Sequence, residues 1–264
     1  MRLDKKVSEQ FVNISREQAK SLILSGGVTV NGNAVTKPAY DVSEADSISI
    51  IGDICPFVSR GGLKLEGAIN EFGIDIKGKL CADIGASAGG FTDCLLRHGA
   101  KQVYAVDVGH GQLDKSLVND SRVINREGVN VRYLSDDFFA DPPQFVSVDL
   151  SFISLKLILG VLYPLIDADA ELAVLIKPQF EVGKASIGKN GIVKDKKAHI
   201  RLLDDMLVYF LSVGLEVKGV SVSSITGGDG NIEYLAYLKK SLCAKTFVLD
   251  AGSLVDKAFS LHKK

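Results

Sequence analysis

One stretch constrains this chain more than any other: Cys81-Ala82-Asp83-Ile84-Gly85-Ala86-Ser87-Ala88-Gly89-Gly90-Phe91. Apolar residues lead into Asp83, small residues follow, and a helical pattern opens at Phe91 and runs through Leu96. A strand, a tight turn and a helix N-terminus in that order let a ligand lie against bare backbone at Gly85, Ala86, Ala88, Gly89 and Gly90. Amides at such a turn favour anionic or polar acceptors. The spacing excludes two familiar alternatives. It is neither G-x-G-x-x-G nor G-x-x-x-x-G-K-[ST], so neither a dinucleotide nor a P-loop phosphate fits the pattern.

The residues after this turn alternate between strand-like and helix-like runs. Strands are expected at 80–84, 102–106, 123–124, 145–148, 172–176, 217–223 and 232–238, with helices near 91–97, 113–119, 155–162 and 198–213. Such alternation implies an α/β fold, a parallel sheet with helices on both faces. Only Ser224–Asn231 joins the last two strands, too short for a crossover, so the final strand is expected to be antiparallel.

Residues 1–51 read as a separate small α+β unit. Arg2 to Phe11 suggests a short helix. Ser15 is a good cap for a second helix ending near Leu24. Asn31-Gly32 is a hairpin signal between short strands at 28–30 and 34–35, and a further strand is expected at 47–50. Residues 1–40 carry six Lys/Arg against three Asp/Glu, and Arg2, Lys5, Arg16 and Lys20 can share one face. Residues 52–60, containing Pro56, form a linker, and the large domain occupies 61–264.

The 46% apolar content supports a sizeable core, and the net charge of -1 makes any nucleic-acid surface a local one. The charged N-terminus lacks a signal-peptide pattern, and no apolar run reaches the ~20 residues of a membrane span. Four cysteines without metal or framework spacing fit buried thiols in the cytoplasm. No metal site is expected.

Ligands on such a sheet bind at the carboxyl ends of the strands. Asp107, followed by Val108, ends the second strand and suits ribose hydroxyls. Asn130 follows the third strand and borders an adenine. Asp149 ends the fourth strand, Lys177 the fifth, and Glu233 starts the antiparallel seventh. With Lys64 near the start of a helix at 61–72, these form a rim of two lysines and two carboxylates. That set suits proton abstraction from a hydroxyl, with a neutral lysine as base. The lysine-rich loop 183–191, with Lys184 and Lys189, reads as a lid that meets RNA phosphates, against the plainer reading of an ordinary loop. Residues 239–264 hold six lysines and two acids. A packed helix at 253–261 is expected there, with an RNA-facing tail as the alternative.

Several motifs resemble known families. D-x-G-x-x-x-G-G from Asp83 to Gly90 is similar to the first motif of S-adenosylmethionine-dependent methyltransferases, and the expected sheet to the class I methyltransferase fold. Residues 1–51 resemble the small RNA-binding module of a ribosomal protein, pseudouridine synthases and tyrosyl-tRNA synthetases. Ser59-Arg60-Gly61-Gly62-Leu63-Lys64-Leu65, the Asp83 loop, Ala105-Val106-Asp107-Val108-Gly109-His110-Gly111-Gln112-Leu113, Asp149-Leu150-Ser151-Phe152-Ile153-Ser154-Leu155 and Lys177-Pro178-Gln179-Phe180-Glu181 together resemble the TlyA family. These are ribosomal RNA 2'-O-methyltransferases related to FtsJ and often named haemolysins. The resemblance implies S-adenosylmethionine held by Asp83, Gly85, Ala86, Ser87, Gly89, Gly90, Phe91, Asp107, Val108 and Asn130. It also implies a catalytic tetrad Lys64, Asp149, Lys177 and Glu233 with Lys177 as base, and a cytidine ribose in ribosomal RNA or a ribosomal subunit as substrate. Arg2, Lys5, Arg16, Lys20, Arg60, Lys184 and Lys189 would then meet RNA. Two positions depart from the pattern. Lys115 stands where an aromatic is expected, and Glu127-Gly128-Val129-Asn130 replaces a Thr-Asn pairing. Two other readings remain: a non-catalytic RNA-binding protein on a degenerate methyltransferase fold, and a membrane-active haemolysin.

Overall fold

A computed structural model describes the chain apart from residues 12, 13, 15, 25, 52–54, 184, 185, 189, 228, 263 and 264. Ser15, Lys184, Lys189 and the start of the expected linker therefore lie outside the described residues. The chain divides into two compact units, Met1–Arg60 and Gly61–Lys264.

In the first unit, α1 (Leu3–Gln10) packs on α2 (Arg16–Leu24). A three-stranded antiparallel sheet follows, with β1 (Val28–Val30) between β2 (Asn33–Ala34) and β3 (Ile48–Ile50). Asn31 and Gly32 both have positive φ, 51° and 80°, as a two-residue hairpin turn requires. Leu3, Val7, Ala19, Ile23 and Val28 are fully buried in a core of the unit's own.

The second unit opens with α3 (Gly61–Phe72) and continues through β4 (Leu80–Ile84), α4 (Gly90–Arg97), β5 (Gln102–Asp107), α5 (Lys115–Val118), β6 (Val123–Glu127) and β7 (Phe145–Val148). Then come α6 (Leu159–Leu162), β8 (Glu171–Ile176), α7 (Pro178–Glu181), α8 (Lys196–Ser212), β9 (Leu215–Val222), β10 (Tyr234–Lys240) and α9 (Ala251–Leu261). The seven strands lie in the order β6-β5-β4-β7-β8-β10-β9. All run parallel except β10, which is antiparallel to both of its neighbours. The last strand of the chain thus slots inside the sheet rather than closing its edge.

Strand alternation sends neighbouring residues to opposite faces. Val174, Ile176, Tyr234 and Ala236 join the main core with residues of α8 and α9, whereas Leu175 and Leu235 pack with Ala68 and Phe72 of α3. That parity assigns Asp149, Lys177 and Glu233 to the α3 face.

Some boundaries differ from the sequence expectation. The helix expected at 155–162 is three short pieces, with a 3-10 turn at Leu155–Leu157 before α6 and another at Tyr163–Leu165 after it. Glu181 accepts hydrogen bonds from Ser154 Oγ and the Leu155 amide, and Pro164 lacks the donor needed to extend α6. Helix α5 is shorter than 113–119 because Glu127 takes the Leu113 amide and Asp114 caps Ser116. Helix α7 was not anticipated. Among the described residues, no helix is long and apolar enough to cross a membrane.

Candidate active site

The turn after β4 is shaped by two close approaches. Gly85 has φ +89°, and a Cβ there would stand 2.2 Å from the Asp149 carbonyl oxygen. Gly89 has φ +96°, and its Cβ would meet a Leu117 methyl at 2.2 Å. Both positions therefore exclude a side chain on conformational and steric grounds. The resulting turn borders a cavity of 420 Å³, whose lining includes Gly85, Ser87, Asp107, Val108, Asn130 and Asp149. That size suits a nucleoside-sized ligand.

Asp107 sits at the end of β5 with its carboxylate fixed. One oxygen accepts from the Ser87 amide at 2.8 Å and the other from the Gly109 amide at 2.7 Å. Each oxygen keeps a lone pair free for a ligand hydroxyl. The Asn130 side chain accepts from the Arg132 amide at 3.2 Å.

Asp83 is placed differently from the sequence reading. It is fully buried beneath the turn and accepts from Thr92 Oγ1 at 2.7 Å and Ser147 Oγ at 3.1 Å. It does not line the cavity. Burial, with the nearby Asp149 charge adding to it, pushes its carboxyl up to about 7, against the hydroxyl donors. Ala86, Gly89, Gly90 and Phe91 are likewise buried and shape the turn from within.

The four rim residues form two ion pairs. Lys64 Nζ lies 2.6 Å from Glu233 Oε2, and Lys177 Nζ lies 2.5 Å from Asp149 Oδ1. Lys64, Lys177 and Glu233 are less than a tenth exposed. Lys177 also donates to Ser151 Oγ at 3.0 Å. The strand register explains how the pairs meet. Tyr234 lies opposite Ile176, so one residue further Glu233 lies opposite Lys177 on the same face. Lys64 reaches that face from the first turn of α3, and Asp149 reaches it from the end of β7. Three contiguous strands and one helix thus deliver two buried cations and two carboxylates to one edge of the sheet. Asp149 also lines the cavity, which joins the pairs to it.

Phe152, Ser151 and Gln112 belong to this site although the sequence reading gave them no role. Phe152 has φ +65° and is 91% exposed, a costly pair of properties for an aromatic residue. Its ring lies 5.1 Å from that of Phe180, and Lys177 Nζ lies 5.9 Å from the Phe180 ring centroid. No periodicity signals such a residue; its position two after Leu150 in a strand-end motif was the available hint.

In the first unit, Asp4 is fully buried and binds two arginines. Arg2 Nε is 3.0 Å and Arg16 Nε 3.2 Å from its oxygens, and both guanidiniums remain half-exposed. The Arg2 and Arg16 hydrogen bonds hold the Asp4 carboxyl down at about 2 despite burial. Lys5 lies 3.7 Å from Glu9 on the surface of α1. Lys20 is half-buried on α2, and Arg60 is exposed.

Comparison with known proteins accords with this architecture. The profile of the FtsJ-like methyltransferase family matches residues 57–240, and that of the S4 domain matches residues 1–48. A candidate rRNA methyltransferase of Bacillus subtilis, YqxC, is 47% identical over 238 residues, spanning 90% of this chain and 85% of that one. The 16S/23S rRNA (cytidine-2'-O)-methyltransferase TlyA of Mycobacterium tuberculosis is 40% identical over 239 residues, 90% of this chain and 89% of that one. A solved structure from Streptococcus thermophilus, described as a candidate hemolysin, is 40% identical and superposes with a TM-score of 0.82, covering 100% of this chain and 97% of its own. The chain belongs to the FtsJ-like methyltransferase family, in its TlyA branch, and carries an S4 domain at its N-terminus.

Proposed function

We propose that this protein methylates the 2'-hydroxyl of a cytidine ribose in ribosomal RNA, with S-adenosylmethionine as methyl donor, in the cytoplasm. The observation that carries the reading is the pair of buried ion pairs, Lys64–Glu233 and Lys177–Asp149, at the edge of the 420 Å³ cavity. The residues lining that cavity fit the donor. Asp107 offers fixed acceptors for ribose hydroxyls, and the Gly85–Ser87 turn admits a ligand against backbone. When bound, S-adenosylmethionine supplies an electrophilic methyl group on a sulfonium.

The ribose hydroxyl is a weak nucleophile, and in this reading Lys177 Nζ takes its proton. To do so the amine must first be neutral. Asp149 Oδ1, at 2.5 Å, is an acceptor close at hand, and a nucleotide that excludes water favours the neutral form of such a pair. Ser151 fixes the direction of Nζ. Lys64, held by Glu233, brings a second amine to the same face. Alignment of the attacking oxygen supplies much of the remaining acceleration. Phe152, strained and exposed at the cavity rim, offers a face on which an unstacked base can lie. The half-exposed Arg2 and Arg16 offer fixed guanidiniums to RNA phosphates.

The test incubates the purified chain with S-adenosylmethionine and unmodified ribosomal subunits or their naked RNA, then quantifies 2'-O-methyl nucleosides by mass spectrometry. A gain of 2'-O-methylcytidine that vanishes in Lys177→Ala is expected. RNA binding without any methyl gain on either substrate would instead favour a non-catalytic binding protein.

A further inference from the structure

Glu127, at the end of β6, opens the Glu127-Gly128-Val129-Asn130 segment in which Val129 stands where a Thr is expected, and its carboxylate is engaged by the neighbouring loop. One oxygen accepts from the backbone amides of Gln112 at 2.6 Å and Leu113 at 3.1 Å, and the other from Asn125 Nδ2 at 3.2 Å. These donors, the Leu113 and Gln112 amides above all, hold its carboxyl down at about 2, so the clamp is ionised throughout the working range. Two backbone bonds tie the same segment to the chain after β6: Gly128 N–H donates to Gly109 O at 2.8 Å, and Val129 N–H to Asp107 O at 2.9 Å.

Held in this way, Gln112 folds its side chain back over Gly109. A Cβ at Gly109 would stand 1.9 Å from Gln112 Nε2 and 3.2 Å from Asp107 Oδ1. The carboxamide therefore occupies the space above Gly109, next to the Asp107 carboxylate, and Gln112 lines the cavity beside Asp107 and Val108. A carboxamide carries both donors and an acceptor. Placed against a carboxylate that accepts only, it complements a ribose diol or the edge of a purine.

We propose that Gln112 is a cofactor-binding residue for the nucleoside half of the methyl donor, and that Glu127 is the positioning residue that holds Gln112 against Asp107. This rests on the reading of the cavity as the methyl-donor site. The clamp presets the loop before the ligand arrives, which lowers the ordering cost of binding.

The test is calorimetric binding of S-adenosylhomocysteine, 5'-methylthioadenosine and methionine to the full chain, with the KM for S-adenosylmethionine measured in parallel. Gln112→Ala is expected to weaken S-adenosylhomocysteine and 5'-methylthioadenosine about tenfold, the worth of one or two neutral hydrogen bonds. Methionine binding and kcat at saturating donor should hold. Gly109→Ala keeps the glutamine but fills its place, and should reproduce the loss. The double variant should be no weaker than either single one. Glu127→Gln should show the same KM rise, with kcat retained and an unchanged melting temperature for Gln112→Ala as the control. Wild-type protein that binds S-adenosylhomocysteine, together with Gln112→Ala and Gly109→Ala that bind it equally well, would overturn the proposal. Wild-type protein that binds none would overturn the methyl-donor reading along with it, and that outcome is distinguished by the wild type alone.

Discussion

Asp4 in the first unit and Asp83 in the second are both fully buried carboxylates, yet their protonation moves in opposite directions. Two guanidiniums hold Asp4 down at about 2, whereas Asp83, given only two hydroxyl donors, rises to about 7. Charged donors hold Asp4 ionised, whereas deep burial outweighs the neutral hydroxyl donors at Asp83. The lysines of the second unit extend the comparison. Asp4 spends a buried anion to fix two cations that stay in water. Asp149 and Glu233 instead fix two cations that are themselves buried. The first arrangement suits binding an outside polyanion, the second chemistry on a group brought inside.

The sharpest way to break this contrast is to exchange the effects. Lys177→Ala is expected to lower methyl transfer by about 10³-fold or more while RNA affinity holds within about twofold by filter binding, the scatter of a surface-neutral change. Equal loss of both would collapse the distinction.

Asp83 gives the next largest effect. Its folded-state value lies above the unfolded one, so its stabilising contribution is present in acid and is lost as pH rises from about 4 to about 7. A shift of that size corresponds to about 4 kcal/mol. Buried His199, whose value is lowered by desolvation, works in the opposite sense, so the comparison must be a difference. Wild type minus Asp83→Asn, followed by chemical denaturation across pH 4.5–8, should decline with pH and then flatten. A flat difference would mean that Asp83 is ionised throughout.

Removing one member of a buried pair leaves the other uncompensated. Glu233→Ala is expected to cost about 3 kcal/mol of stability. Lys64→Met combined with Glu233→Leu should restore most of it without restoring activity. Recovery of activity in the double variant would remove the tetrad from the mechanism.

The smallest effect belongs to the surface arginines. Arg16→Ala should weaken RNA binding several-fold and reduce the salt slope by about one, with kcat intact.

Much of the architecture was legible because it is local. Strands at 80–84 and 145–148 coincide with β4 and β7, and the Asn31-Gly32 turn announces its hairpin by conformational preference. Long-range bonds account for much of what was missed. Glu181 draws in the start of the 155–165 segment, and Glu127 shortens α5, neither of which spacing reveals. The last strand begins at Tyr234 rather than Ile232, and its place between β8 and β9 follows from pairing rather than from pattern. At the site, strand-end logic located Asp107, Asp149, Lys177 and Glu233. It did not reveal which lysine each carboxylate would take, which depends on the packing of α3 and the strand ends, nor that Asp83 would be buried, which depends on Thr92 of α4 and Ser147 closing over it.

The insertion of β10 between β8 and β9 gives the protein a built-in order of completion. A chain emerging N-terminus first makes α3, β7 and β8 early, yet Glu233 and the strand behind it come near the end. Until β10 arrives, β8 and β9 each present an unpaired edge and Lys64 has no counter-ion from Glu233. A chain ended before β10 would carry the turn after β4 and still lack Glu233 at the rim. The strand that completes the sheet is thus also the one that brings Glu233 to Lys64.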